Sequence, residues 1–320
     1  MKVVVTGCAG FIGSAVTLEL LKRGHHVVGI DSLTNDGYPA SFKVKRLSSI
    51  PDSSLFAFHQ LSVNDSDLDS VIAGADVILN EAASPGLILS WTHYDNYVRN
   101  NVSAAFALAS AMQRTGIRRL IQASTSSVYG SVAEGNEQSR TNPISPYGVT
   151  KLAAEQALTA WSEESDLHLT ILRYFSVYGP SQRPDMAYEI FCERLLRGLP
   201  LQVFGNGRQS RSNTFIDDIV SATVAAIELP EGLGPINVCG GEPMELLDAI
   251  HILADELGVE PRIEFMQARR GDQRVTRGNY ARARLLLGWE PQVAPREGLR
   301  RQAKAAQIRV FEERHETTPG

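Results

Sequence analysis

The sequence predicts an α/β protein built on a doubly wound parallel sheet, with a smaller substrate-binding region woven into its C-terminal part. Three observations carry this reading. Apolar runs of strand length alternate with amphipathic helical stretches through about the first 175 residues, the rhythm of successive strand–helix–strand units. The first run, Val3-Val4-Val5, is apolar at consecutive positions, as a strand covered on both faces requires. It leads directly into Thr6-Gly7-Cys8-Ala9-Gly10-Phe11-Ile12-Gly13, a glycine-rich turn that opens a helix.

The elements follow in order. Ser14 to Arg23 reads as a helix, and Gly24 suits its stop. His26 to Ile30 is the second strand, ending at Asp31. Leu55–Leu61, Val77–Leu79, Leu120–Ala123 and Leu169–Arg173 are further strands, and Tyr94–Thr115 and Tyr147–Glu164 are the long helices between them. After Gly179-Pro180 the rhythm changes. Glu189–Arg197 reads as helix, Leu201–Phe204 as a short strand and Asp217–Glu228 as helix. From Pro230 to Pro295, Pro, Gly and Arg become frequent. The division expected is residues 1–178 for a dinucleotide-binding domain and 179–320 for the substrate region, with segments near 212–240 returning to the main sheet. The polar stretch Glu312 to Gly320 reads as a frayed tail.

With 320 residues, 43% of them hydrophobic and 21% charged, the chain has the composition of an ordinary globular protein. A formal charge of −5 gives no broad nucleic-acid footprint. Cys8, Cys192 and Cys239 are odd in number and match neither a zinc spacing nor a disulfide framework, so no metal is expected and a reducing cytoplasm is the natural compartment. No signal pattern opens the chain, and no apolar run approaches the roughly 18 residues needed to span a bilayer.

Two sites stand out. Gly7, Gly10 and Gly13 permit a tight turn, and the helix that follows turns free N–H groups toward a pyrophosphate. Asp31, at the end of the next strand, supplies a carboxylate for both ribose hydroxyls and repels a 2′-phosphate, so the cofactor expected is NAD rather than NADP. Tyr147 and Lys151 lie four residues apart, hence on one face of a helix. A free phenol titrates near 10, and a neighbouring ammonium and a positive nicotinamide ring would both lower that value. Thr125 leads the hydroxyl cluster Thr125-Ser126-Ser127 and can stabilise a carbonyl as it forms. Together these residues suggest a nicotinamide enzyme acting on an alcohol.

The motifs resemble those of the extended short-chain dehydrogenase/reductases, in the nucleotide-sugar epimerase/dehydratase branch. The likeness runs nearly the whole chain. It includes the glycine turn, Tyr147-x-x-x-Lys151, Leu172-Arg173-Tyr174-Phe175-Ser176-Val177-Tyr178-Gly179-Pro180, Gly205 to Arg211, Phe215-Ile216-Asp217-Asp218, Arg269 to Asp272 and Leu287-Gly288-Trp289. The resemblance implies a Rossmann sheet, NAD held also by Phe11, Ile12, Ser62, Val63, Ala82 and Asn101, and a homodimer formed through the two long helices. It implies that Arg211 and Arg269 clamp the nucleotide diphosphate, that Asp272 accepts from its ribose, and that Gln202 and Phe204 border the base. Pro85, Gly86 and Ser176 are implied at the sugar. The chain also departs from the pattern. Asn80-Glu81-Ala82-Ala83 stands where the family often has His-Leu-Ala-Ala, Ser62 where an Asp is frequent, Ser212-Asn213 where Asp-Phe is familiar, and Arg270 where Pro is usual.

Within the branch, dehydratases resemble Thr-Asp-Glu and decarboxylases Thr-Ser-Glu at the cluster that here reads Thr125-Ser126-Ser127. The lack of a carboxylate disfavours both reactions. A finer likeness is to UDP-glucuronate 4-epimerases. It rests on Ala83-Ser84-Pro85-Gly86, Ser90-Trp91 and Gln182-Arg183-Pro184-Asp185-Met186-Ala187. It implies reversible oxidation at C4 of a UDP-sugar, with Arg183 and the two serines meeting a C6 carboxylate. A 4-epimerase of a neutral UDP-hexose is the alternative, and a decarboxylase or a silent NAD-binding protein are further ones.

Overall fold

The computed structural model describes residues 1–316. Seven parallel strands form the main sheet: β1 (Lys2–Thr6), β2 (His26–Ile30), β3 (Phe56–His59), β4 (Val77–Asn80), β5 (Arg119–Thr125), β6 (His168–Tyr174) and β7 (Gly234–Val238). Their spatial order is β7-β6-β5-β4-β1-β2-β3, so the direction of winding reverses between β1 and β4. A crevice opens beyond the carboxyl ends of the strands at such a reversal. The apolar run in β1 serves both faces as its composition requires. Val3 and Val5 belong to one buried cluster with Ile219 and Ile236, and Val4 to another with Leu108 and Leu158.

The strands and helices predicted in the first half are present, with boundaries moved by up to three residues. The first helix begins at Phe11 rather than Ser14, because Gly10 already occupies the N-cap in an extended conformation. The helix Pro146–Glu163 starts where Ser145 accepts from the Gly148 N–H at 3.1 Å and Pro146 fills the first turn. The stretch Tyr94–Thr115 is not one regular helix. Val98–Ser103 is π-helical between α-helical Tyr94–Tyr97 and Ala104–Thr115, and π-turns of this kind recur near functional sites.

The second half holds more structure than its composition suggests. Helices Leu246–Leu257, Ala281–Leu287 and Pro295–Glu316 lie in or beyond the Pro-, Gly- and Arg-rich stretch. The first and last of these pack with helix Ala187–Leu196 and strand Leu201–Phe204 around a third core that includes Cys192, Leu201, Ile250, Leu253 and Leu299, while Ala281–Leu287 packs through Ala283 on the core beside Val3 and Ile236. The last helix continues through Glu316, so the expected fraying from Glu312 does not occur there; residues 317–320 lie outside the described residues. No helix among the described residues is long and apolar enough to cross a membrane.

Candidate active site

A cleft of about 1290 Å³ opens at the carboxyl ends of the strands, between the main sheet and the third core. The glycine turn forms its floor. Gly7 has a left-handed φ of +69°, and a Cβ there would lie 2.8 Å from the Ala82 nitrogen. A Cβ on Gly13 would lie 2.2 Å from the Gly7 carbonyl oxygen. Side chains are therefore excluded, and bare backbone at a helix N-terminus faces the cleft beside Phe11 and Ile12. That cradle fits a dinucleotide pyrophosphate. Asp31 lies next to it, buried, accepting from the Ala9 N–H at 3.2 Å and the Leu33 N–H at 2.9 Å. Lys43, which sequence reasoning missed, brings its ammonium to 3.5 Å from the same carboxylate. Ser62, Val63 and Ala82 line this end. The Ser62 hydroxyl accepts from the Asn64 N–H at 3.2 Å.

Asn101 is placed differently from the other residues expected at the cofactor. It is buried behind the cleft wall and does not line it. From the π-helical segment its amide accepts from the Ser84 N–H at 2.7 Å and donates to the Ser84 carbonyl and the Thr150 hydroxyl, both at 3.1 Å. It fixes the Ser84–Gly86 loop against the helix that carries Tyr147.

The reacting end is built from β5 and that helix. Thr125 ends β5, and its hydroxyl donates to Ser127 Oγ at 3.2 Å while accepting the Ser127 N–H at 3.1 Å. Ser126 donates to Gln273 at 3.4 Å, which ties the cluster to the loop bearing Arg269 and Asp272. Tyr147 sits in the first helical turn and Lys151, deeply buried, one turn later. The expected lowering of the Tyr147 phenol is not the net result. Burial raises it, and the hydrogen bond with Thr125 and the charge of Arg183 only partly oppose this. Burial likewise lowers the Lys151 ammonium to about 8, against the pull of Glu81 and Glu155.

The remaining predicted residues, Pro85, Gly86, Ser176, Arg183, Gln202, Phe204, Arg211, Arg269 and Asp272, also line the cleft. Ser176 holds a left-handed φ of +31°, unusual for a residue with a side chain, so its placement is imposed by its surroundings. Arg183 reaches across from the far wall. Its guanidinium lies 5.5 Å from the Tyr38 ring centroid and beside Gly86. It is not free: Nε and Nη2 donate to the two oxygens of Asp185 at 2.9 and 2.5 Å. Arg211 donates to Asp272 at 2.8 Å, and Arg269 stacks 3.4 Å from the centre of Phe204. Arg270 stacks 4.0 Å from the centre of Trp91, joining the two rims of the cleft. Tyr38 and Lys43 lay in a segment whose sequence carried no motif, while Asp185 stood inside the quoted motif without a role.

This fold and this cleft, with a glycine turn and a Tyr–Lys pair facing one another, define an extended short-chain dehydrogenase/reductase. Comparison with known proteins agrees. Residues 3–239 match the model of the NAD dependent epimerase/dehydratase family. A Bacillus subtilis protein named an uncharacterized UDP-glucose epimerase is 37% identical over 303 residues, covering 93% of this chain and 96% of its own. The UDP-glucuronate 4-epimerase of Thermodesulfobacterium geofontis is 35% identical, covering 93% of this chain and 94% of its own. The crystal structure of the UDP-glucuronic acid 4-epimerase from Bacillus cereus, in complex with UDP-glucuronic acid and NAD, superposes with a TM-score of 0.92 at 36% identity, covering 96% of this chain and 99% of that one. The chain belongs to the NAD-dependent epimerase/dehydratase family.

Proposed function

We propose that this protein is an NAD-dependent 4-epimerase of a UDP-sugar, interconverting UDP-glucuronate and UDP-galacturonate. The observation that carries the sugar assignment is that Arg183 lines the same cleft as Tyr147 and a hydroxyl cluster, Thr125-Ser126-Ser127, that holds no carboxylate. The relatives named for UDP-glucuronate support it.

The glycine turn and Asp31 would hold NAD, which supplies reversible hydride exchange at the sugar's C4 when bound. The chain's own residues do the rest. Tyr147, as phenolate, takes the proton of the 4′-hydroxyl. Its burial opposes that ionisation in the unliganded protein, so the Thr125 hydroxyl and the cations around it must favour it. Thr125 then donates toward the developing carbonyl oxygen. Arg211 and Arg269 present guanidinium groups to the diphosphate, with Asp272 at the ribose and Gln202 and Phe204 at the base. A 4-keto uronate loses carbon dioxide fastest with its C5–C6 bond perpendicular to the ketone plane. Arg183, Ser126 and Ser127, by gripping the carboxylate, keep it out of that geometry.

The division of labour follows the chain: residues 1–178 serve the cofactor and 179–320 mainly the nucleotide-sugar, with the 212–240 region rejoining the sheet. We further infer a homodimer in the cytoplasm. The outer faces of the helices Ala104–Thr115 and Pro146–Glu163 expose Phe106 and Val149, which supports a self-complementary helical interface.

The neutral-hexose alternative has one observation in its favour, since Asp185 already satisfies two nitrogens of Arg183. Chromatography of the products decides between them. UDP-galacturonate formed from UDP-glucuronate, without a UDP-pentose, is the expected result. Faster turnover of UDP-glucose would promote the alternative.

A further inference from the structure

Arg46 is a buried cation outside the cleft. It sits near the end of the helix Ala40–Ser48, is 6% exposed and does not line the cleft wall. Its partners are neutral. Nε and Nη2 donate to one acceptor, the Ser181 carbonyl, at 3.2 and 2.9 Å, and Nη1 donates to the Tyr38 hydroxyl at 3.3 Å. A guanidinium buried against neutral groups gives up solvation without gaining an ion pair, so stability alone is a poor reason to keep one there. Its rigid fork does fix direction as well as distance.

The fork holds the loop that presents Arg183. Ser181 stands two residues before Arg183 with a left-handed φ of +65°, which a residue with a side chain keeps only where its surroundings impose it. Ser176, at +31°, and Gly179, at +140°, share the same loop. The loop is tied from both sides. From the last helix, the Gln302 side chain accepts the Gly179 N–H at 2.8 Å. From the cofactor side, the tie is Arg46. Past Arg183 the backbone closes on itself, with the Met186 N–H donating to the Arg183 carbonyl at 3.1 Å.

The side chains repeat the connection. Tyr38, 7% exposed, has the guanidinium of Arg46 and that of Arg183 each 5.5 Å from its ring centroid, so one aromatic ring serves both cations. Lys43 precedes Arg46 by three residues and so shares its helical face. Its ammonium lies 5.9 Å from the Tyr38 ring centroid and 3.5 Å from Asp31. One short helix therefore touches the carboxylate assigned to NAD and the loop assigned to the sugar.

We propose that Arg46 is a positioning residue for Arg183 and, through it, a determinant of which sugar the cleft accepts. The role rests on the uronate reading for its substrate but not for its structural measurement. Removing Arg46 leaves every cleft-lining side chain in the sequence, including Arg211, Arg269, Tyr147 and Lys151. It frees the backbone that aims Arg183, and a misplaced guanidinium meets a C6 carboxylate less well.

The test compares the unmodified protein with Arg46→Met, which removes the fork at similar length, and Arg46→Lys, which keeps a cation on a single nitrogen. Hydrogen–deuterium exchange of the peptide spanning residues 179–186, read by mass spectrometry without any sugar, should be about threefold faster or more in Arg46→Met and intermediate in Arg46→Lys. KM for UDP-glucuronate should rise about threefold to fivefold in Arg46→Met and recover in part in Arg46→Lys, while kcat and the KM for UDP-glucose stay within about twofold. In an Arg183→Leu background, Arg46→Met should add nothing further to the uronate KM. Unchanged exchange in Arg46→Met overturns the proposal. So does an equal rise in KM for both sugars, and so does a full effect of Arg46→Met in the absence of Arg183. If Arg46→Met does not fold, the same comparisons with Arg46→Lys decide. If exchange quickens as expected but the unmodified protein turns over UDP-glucose faster than UDP-glucuronate, the uronate reading fails and Arg46 stands as the tie of the loop.

Discussion

Arg173 and Glu155 face each other across the junction of β6 and the catalytic helix, joined at 2.6 Å through Nη2 and Oε2 and both almost fully buried. The pair lies one helical turn beyond Lys151, with Tyr129 stacked on the guanidinium 5.0 Å from its ring centroid. Its energetic meaning is asymmetric. Breaking a buried pair on one side leaves the other charge without a partner in a poor solvent for it. We expect Glu155→Gln to destabilise the protein by about 3–5 kcal/mol, read from urea unfolding at pH 7. A loss under roughly 1 kcal/mol, the scale of an exposed pair, would contradict the structural weight given to this contact.

Tyr147→Phe keeps the ring that packs edge-on against Tyr97 at 6.2 Å and deletes the proton acceptor. Turnover should fall by roughly 10²–10⁴-fold, with the melting temperature and NAD affinity nearly unchanged. Thr125→Ala should cost less. Near-normal turnover in Tyr147→Phe would remove it from the role of base.

Asp31 should make NAD the preferred dinucleotide, because a 2′-phosphate would meet its carboxylate. Lys43 tempers that repulsion from 3.5 Å away. Calorimetry should therefore show tighter binding of NAD than of NADP, and the gap should widen in Lys43→Met and narrow in Asp31→Asn. Equal affinities in the unmodified protein would refute the assignment.

Under the proposed function, the Arg183–Asp185 pair should set the sugar preference. Arg183→Leu should erode selectivity for UDP-glucuronate over UDP-glucose by about tenfold, the effect of losing one charge-assisted hydrogen bond. Asp185→Asn should weaken the grip that aims the guanidinium and raise KM for the uronate more than it lowers kcat. Unaltered selectivity in Arg183→Leu would favour the neutral-hexose reading.

Glu81 gives the ligand-free protein a pH signature. Burial raises its carboxyl from 4.5 to about 7. The folded state therefore binds the proton more tightly than the unfolded chain. Stability from this group is complete below pH 4.5 and is lost as pH rises toward 7. Melting temperatures measured across that window should decline less steeply in Glu81→Leu than in the unmodified protein. Parallel curves would show that the group titrates normally.

Much of this was legible because local rules and tertiary context agree in the first half. Val3 to Val5 had to be buried on both sides, and Gly7, Gly10 and Gly13 had to precede a helix. The spacing of Tyr147 and Lys151 placed them on one face. Other features follow from contacts distant in sequence. The extended N-cap of Gly10 began a helix earlier than its apolar pattern, and the π-turn at Val98–Ser103 has no periodic signature. Lys43 meets Asp31 because the helix Ala40–Ser48 brings it back to the end of β2, and Glu81 meets Tyr174 because the ends of β4 and β6 converge. Helix Leu246–Leu257 was hidden because flanking Gly and Pro dominated the reading of a stretch whose apolar residues pack on Leu201 and Val203. The fork of Arg183 was read as open to a ligand, while Asp185 two residues away already held it.

The edge strand Gly234–Val238 pairs in parallel with His168–Tyr174, after the chain has left the sheet and traversed the far wall of the cleft. Sequence order and spatial order thus part company. A designer who wishes to graft a new sugar pocket onto this cofactor platform cannot exchange one contiguous C-terminal block, because that block carries a strand of the platform itself. The exchange has two seams, one on each side of Gly234–Val238. Any such hybrid must keep the register of Ile236 opposite Leu172 to remain a single folding unit.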